Sequence, residues 1–221
     1  AKVGLITTKG FGQVLQIARS YVPGGLGGWL YYQKTPPLAP LDCTIEVDER
    51  MGADGVVVRE LNELQLKDAL RSFDDKDIEA ITICLINSFT NDQHEQRVRE
   101  IVAEVMPGVP TSISSEVIPE LQEYERTVTT VANSYVRPEV SKYISNLQTE
   151  FDKKMNGASL SILRSDGGLA TANSAMNFPV YMLMSGPAGG VSGAIWVGEQ
   201  AGINNIITFD MGGTSTDVAL I

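Results

Sequence analysis

At 221 residues, 43% hydrophobic and 20% charged, the chain has the composition of a soluble globular protein with enough apolar material for a sizeable core. Its formal charge of −10, from 27 acids against 17 bases with no basic stretch, argues against a nucleic-acid partner. Two distant cysteines, Cys43 and Cys84, and a single histidine, His94, give neither a disulfide framework nor a zinc-ligand pattern.

The chain opens on Ala1-Lys2-Val3-Gly4-Leu5-Ile6, a predicted buried strand over 2–6, and closes on strand-like Val218-Ala219-Leu220-Ile221. Both ends within core strands is the pattern expected of a segment excised from a longer protein. Phe11, Val14, Leu15 and Ala18 at helical spacing predict a helix from Phe11 to Arg19. Residues 20–42, rich in Gly and Pro, predict a long irregular loop. Short strands near 43–48 and 55–59 are expected to pair as a hairpin around Asp54-Gly55. Leu61 to Phe73 predicts an amphipathic helix, and 79–86 a strongly apolar strand in which Cys84 is a small buried hydrophobe.

Asn91 or Asp92 is placed to cap a helix running to about Met106, with Val98, Ile101, Val102 and Val105 on its apolar face. A short strand follows at 110–113. Segment 121–155 predicts two helices parted near Arg137-Pro138, because proline fits the first turn of a second helix. Then come a strand at 159–163, a turn at Asp166-Gly167-Gly168, a small-residue helix over about 187–200, a strand at 205–209, a Gly-rich turn and a final strand. Strands alternating with helices over short connections define the α/β class. No apolar run is long enough to span a bilayer, and there is no leader pattern or Asn-x-Ser/Thr acceptor, so a cytoplasmic setting without a membrane partner is expected.

The sharpest chemical signal is Phe209-Asp210-Met211-Gly212-Gly213-Thr214-Ser215-Thr216, set between two apolar strands. Gly212 and Gly213 expose backbone N–H groups without a Cβ in the way, and such a concave donor set cradles phosphate oxygens. Thr214, Ser215 and Thr216 add hydroxyl donors. Asp210, at the strand end, suits hydrated magnesium, which takes one or two carboxylates. An ordinary hairpin turn uses the same residue types and is the competing reading. Upstream, Ser185-Gly186-Pro187-Ala188-Gly189-Gly190-Val191-Ser192-Gly193-Ala194 makes an intrinsically poor helix, at roughly 1 kcal/mol per glycine against alanine, useful where another backbone comes close. Close packing and direct ligand contact both fit it.

The remaining candidates read as structure. His94 is expected on the surface of a helix start. Glu116, Glu120, Glu123, Glu125 and Arg126 read as a solvated charged face, with Arg126 and Arg137 available to pair with acids between helices. The 23–28 glycines form no Gly-x-Gly-x-x-Gly and lack a Walker lysine, so neither a Rossmann nor a P-loop site is supported.

A small-residue helix, a strand, an Asp-x-Gly-Gly-Thr turn and a strand together resemble the start of the second half of the actin-like ATPase (ribonuclease H-like) fold. The resemblance sharpens to the hydantoinase A/5-oxoprolinase family on Leu5-Ile6-Thr7-Thr8-Lys9-Gly10-Phe11, Ser114-Ser115-Glu116-Val117 with Glu123-Tyr124-Glu125-Arg126-Thr127, Ser165-Asp166-Gly167-Gly168-Leu169, Ser185–Gly190 and Phe209–Val218. It implies an incomplete actin-like fold: most of the first half plus the start of the second. Residues 1–178 would be the C-terminal part of the family's N-terminal region. Residues 179–221 would begin the ATPase domain with its hinge helix and phosphate loop. A first phosphate loop and the adenosine site are implied outside this segment, leaving the segment inactive alone. The implied parent is an ATP- and Mg2+-dependent hydrolase of a small cyclic amide, working with a hydantoinase B-like subunit or fused domain, with Asp210 on the metal and Gly212, Gly213, Thr214, Ser215 and Thr216 around the phosphates. ATP-dependent ketone carboxylation within the same family, and a non-enzymatic actin-like nucleotide-binding module, are the alternatives.

Overall fold

The structure, a computed structural model, describes residues 1–19, 22–155 and 159–221. The chain divides into two compact units, Ala1–Glu139 and Val140–Ile221.

In the first unit the hydrophobic runs become a parallel sheet. The elements are β1 (Val3–Thr8), α1 (Val14–Ile17), α2 (Gly25–Tyr31), β2 (Thr44–Val47), β3 (Arg50–Met51), β4 (Val57–Arg59), α3 (Glu63–Leu70), β5 (Ala80–Cys84), α4 (Gln93–Val105), β6 (Thr111–Ile113), α5 (Ser114–Val117) and the start of α6 (Glu123–Lys154). The sheet order is β2-β1-β5-β6, all parallel, with Leu5 opposite Thr44 on one side and Thr82 on the other. Buried on both faces, β1 and β5 need the largely apolar runs they carry, with Thr7, Thr8 and Thr82 the buried hydroxyls among them. One face packs Leu66 and Leu70 of α3 and Val98, Ile101 and Val102 of α4 against Ile6, Ile81, Ile83 and Ile113. The other packs Leu15 of α1 and Val131 of α6 against Val3, Leu5 and Cys84. Asn62 caps α3, its side chain accepting from the Gln65 N–H at 3.1 Å.

Three expectations change here. Strand β2 joins the parallel sheet, and the hairpin around Asp54-Gly55 is instead β3 with β4, closed by the Gly52 N–H donating to Val56 O at 2.8 Å. Alternation in β2 buries Ile45 and Val47 in the main core, which outweighs the local turn signal. The Gly/Pro segment is not wholly irregular, since α2 lies within it; residues 20 and 21 of that segment lie outside the described residues. Segment 121–155 forms one helix of 32 residues with Pro138 inside it. Proline removes one helical hydrogen bond and crowds the carbonyl four residues back. Buried anchors before and after it, Val131 and Ile144, hold the helix through that cost, and the division between the two units falls between Glu139 and Val140.

The second unit carries the rest of α6, then β7 (Ser161–Leu163), β8 (Leu169–Thr171), α7 (Ala172–Asn177), α8 (Ser185–Ala201), β9 (Ile207–Met211) and β10 (Thr216–Leu220). The Asp166-Gly167-Gly168 turn joins β7 and β8 as an antiparallel pair, with Gly167 at φ 80°. Ile144, Ala170 and Ala175 form a small core with Val140, Ile162 and Met182 packed on it. Among the described residues no helix is long and apolar enough to cross a membrane.

Candidate functional site

The Asp-x-Gly-Gly-Thr segment folds as an antiparallel hairpin, β9 to β10, pairing Met211 with Thr216 and Asp210 with Asp217. The Gly212 N–H donates to Ser215 O at 2.9 Å, so Gly213 and Thr214 form the tip. Side chains alternate across a strand pair, which puts Asp210, Asp217, Ser215 and Thr208 on one face. Thr216 falls on the opposite face with Phe209, Met211, Val218 and Leu220. That second face is apolar and open to solvent, with Phe209 63% and Leu220 83% exposed.

Helix α8 lies beside the hairpin, and a cavity of about 440 Å³ is lined by Pro187, Gly190 and Ala194 of the helix and by Thr208, Asp210 and Asp217 of the strands. A Cβ on Gly190 would sit 3.9 Å from the Asp210 carboxylate. The small residues of α8 do admit close neighbours, but these are chiefly side chains: a Cβ on Gly198 would collide with Ile206 Cδ1 at 2.1 Å, and one on Gly189 with Leu163 Cδ2 at 2.6 Å. The backbone approach expected from the sequence is confined to Ile203 O near Gly198.

Gly212 and Gly213 behave differently. Neither has a left-handed φ, a Cβ on Gly213 would meet nothing within 4 Å, and one on Gly212 would touch only Ser215 O at 3.6 Å. The fold of the chain does not need glycine at these two positions. Bare backbone there suits a group that approaches from outside. Among the described residues, no cation pairs with Asp210 or Asp217, and residues 209–218 are exposed. The sequence reading singled out Asp210 but not Asp217. With the tip at Gly213-Thr214, counting outward along the two strands would have found it.

Elsewhere two readings are corrected. His94 is buried, at 5% exposure, because it serves a buried carboxylate: its Nδ1 lies 2.8 Å from Glu49 Oε2. The other Glu49 oxygen accepts from the Thr8 hydroxyl. Arg126 does not belong to a solvated face; it is 2% exposed and donates through Nη2 to Leu85 O at 2.5 Å. The remaining acids behave as expected of a surface, with Glu125 on Arg19 and Glu116 on Arg99.

The α/β fold with its helix-flanked Asp-x-Gly-Gly-Thr hairpin sets the class, and comparison with known proteins gives the family. Residues 1–106 match the hydantoinase/oxoprolinase N-terminal region and residues 126–221 match hydantoinase/oxoprolinase. The chain belongs to the hydantoinase/oxoprolinase family, whose fold is of the actin-like ATPase type. An uncharacterised protein of Methanocaldococcus jannaschii is 35% identical over 100% of this chain and 32% of its own length. The nucleotide-free structure of acetone carboxylase, from work on ATP-dependent acetone carboxylation, superposes with a TM-score of 0.88 at 31% identity, covering 100% of this chain and 32% of that one. The ATP-dependent caprolactamase of Pseudomonas jessenii gives a TM-score of 0.83 at 30% identity, covering 99% and 32%; its subunit alpha is 32% identical in sequence over 99% of this chain and 32% of the subunit. The chain thus spans about a third of the length of the relatives it matches.

Proposed function

We propose that this chain is part of an ATP-dependent hydrolase of cyclic amides, of the hydantoinase/5-oxoprolinase type, and that the 210–217 hairpin holds the terminal phosphates and magnesium of the nucleotide. The observation that carries this is the pair of facing carboxylates, Asp210 and Asp217, unpaired beside two glycines that the fold does not require. Like charges directly opposite on a hairpin destabilise it unless a cation lies between them. Magnesium fits: it takes oxygen ligands, uses one or two protein carboxylates and keeps waters or phosphate oxygens for the rest. Among the described residues no group of three or more His, Cys, Asp or Glu gathers to hold a metal, so a site of two carboxylates completed by nucleotide oxygens is the form available. When bound, the cation neutralises charge on the transferring phosphoryl group.

The residues divide the work. Asp210 and Asp217 orient the metal. The Gly212 and Gly213 backbone lies open to the terminal phosphate, and the Thr214 and Ser215 hydroxyls donate to its oxygens. Thr216 contributes through its backbone, because its side chain is on the far face. An amide carbonyl is a poor electrophile; a phosphoryl group on its oxygen would let water add to the carbon. The C–N bond then breaks to free the ring amine and leave an acyl phosphate, which a second water hydrolyses to carboxylate and phosphate. The protein's task is positioning and charge stabilisation. The likeness to a protein named as subunit alpha supports a partner that supplies the rest of the substrate site, a hydantoinase B-like subunit or fused domain.

The likeness to acetone carboxylase, at a TM-score of 0.88, favours a second reading in which the same turn serves ATP-dependent carboxylation of a ketone. The test is nucleotide-dependent phosphate release by a chain of the relatives' full length with its partner subunit. Stimulation by 5-oxoproline, a hydantoin or a lactam supports the hydrolase. Stimulation only by a ketone with bicarbonate replaces it with the carboxylase, and failure to bind ATP at all overturns both.

A further inference from the structure

The first unit has a second polar centre, distant in sequence from the hairpin. In the sheet order β2-β1-β5-β6, the chain leaves β1 toward β2 on one side and leaves β5 toward β6 on the other. Between the carboxyl ends of β1 and β5 the connections therefore diverge, and open α/β sheets bind ligands in the crevice at such a switch point. The residues at these strand ends are polar and buried: Thr8 closes β1, while Ser88 on the β5–α4 connection and Ser114 after β6 bond each other at 3.1 Å. Glu95, fully buried, accepts from the Leu85 N–H at 2.9 Å, the Ser114 hydroxyl at 2.6 Å and the Ser115 N–H at 2.9 Å. Both of its oxygens are engaged.

Into this centre comes Arg126, from the first turns of α6. Nη2 bonds Leu85 O, the first carbonyl past β5, and the guanidinium carbon lies 5.3 Å from the Phe89 ring centroid. Nε and Nη1 are buried and have no hydrogen-bond partner among the described residues, and Ser115 Oγ, whose own N–H bonds Glu95, is in the same condition. No ion pair is formed by Arg126 among the described residues. A buried guanidinium is normally paired, because its N–H donors and its charge are both costly to leave without a partner. Here the buried carboxylates, Glu95 and Glu49, serve other partners: Glu49 takes the Thr8 hydroxyl and His94.

We propose that Arg126 anchors a small-molecule site at the β1/β5 switch point, taking a carboxylate through the two free guanidinium nitrogens, with the half-buried Phe89 ring covering it. The unmet donors call for an oxyanion. The buried Glu95 carboxylate, which accepts from the N–H of the same Leu85 whose carbonyl Arg126 holds, favours a monoanion over a phosphate dianion. The site is built from residues of the first unit alone and does not rest on the reading of the 210–217 hairpin.

The test is a titration of the 221-residue protein carrying 15N-labelled arginine, without ATP or magnesium, so its outcome stands apart from the reading of the hairpin. The Arg126 Nε–H resonance is identified by its loss in Arg126→Lys and, should that variant fail to fold, by the ring-current change in Phe89→Ala. Acetate, inorganic phosphate and chloride are added at constant ionic strength. The expected result is a saturable shift with acetate, a weaker one with phosphate and none with chloride, with acetate binding weakened about tenfold or more in Arg126→Lys because lysine cannot reproduce the planar donor set. Phe89→Ala, which uncovers the site, should weaken acetate binding less than Arg126→Lys does. A resonance that does not move, or that moves alike with all three salts, overturns the site; tighter saturation by phosphate overturns its assignment to a carboxylate.

Discussion

The Cα of Asp210 is paired with that of Asp217 across β9 and β10, and both side chains project to the face covered by α8. Two carboxylates in this relation repel, by about 0.2–1 kcal/mol for a directly opposed pair. Without a cation, Asp217→Asn should therefore slow amide exchange in the β9–β10 ladder relative to wild type. Adding magnesium should slow exchange in the wild type and leave the variant nearly unchanged. Equal responses of the two proteins to magnesium would show that the pair holds no metal.

The 221-residue chain should release no phosphate from ATP above background. Phosphoryl transfer relies on fixed dipoles and charges in a site that excludes water, and residues 209–218 are all exposed. A steady-state phosphate assay checks this. Turnover that disappears in Asp210→Ala would mean that the hairpin alone suffices.

Pro138 interrupts the hydrogen-bond ladder of α6. Replacing it with alanine restores one bond and relieves a clash worth about 3 kcal/mol in an ordinary helix interior, offset by roughly 1 kcal/mol of extra chain entropy in the unfolded state. Pro138→Ala should raise stability by about 2 kcal/mol in urea titration. A decrease would show that the proline-adapted path of the helix is itself needed for packing on either side of residue 138.

That helix marks where sequence reasoning stops. The local rule for Arg137-Pro138 asks for a break, and only burial of Val131 and Ile144, set by partners far along the chain, overrides it. His94 and Arg126 were misplaced for the same reason, because Glu49 is 45 residues from His94 and Leu85 is 41 from Arg126. Strands β1 and β5, helix α4 and the Asp-x-Gly-Gly-Thr turn were legible because their signals are local: an apolar run, a helical period and a glycine pair. Helix α7 and strand β8 carry no such signal. Six and three residues long, they are shaped by packing around Ala170 and Ala175.

Cys84 lies in β5 with its thiol pushed above its ordinary value of 9.0, first by burial and against the opposing field of Arg126. The folded state thus holds the thiol proton more tightly than the unfolded chain. Stability from this group is complete below about pH 9 and is lost as pH rises further, since only the unfolded thiol ionises there. Native protein at pH 8 should resist thiol reagents at Cys84, with labelling that tracks unfolding by urea. Rapid native labelling would mean that β5 opens locally.

The functional assignment rests most directly on Asp210 and Thr214, in a chain of the relatives' full length. Asp210→Asn keeps the shape and removes the charge that positions the metal, so the loss should fall on kcat more than on ATP affinity. Removing one group that stabilises transition-state charge commonly costs about two to three orders of magnitude. Thr214→Ala, at the hairpin tip, deletes one donor to a phosphate oxygen and should cost less, about tenfold, consistent with roughly 1.5 kcal/mol for a hydrogen bond to a charged acceptor. Because both side chains are exposed and make no hydrogen bond or ion pair among the described residues, neither substitution should disturb folding. Measuring turnover and ATP affinity separately distinguishes the roles: a kcat defect at Asp210 with affinity little changed supports metal positioning for phosphoryl transfer. Near-normal turnover in both folded variants would make the turn a plain hairpin and end the proposal that it binds phosphate.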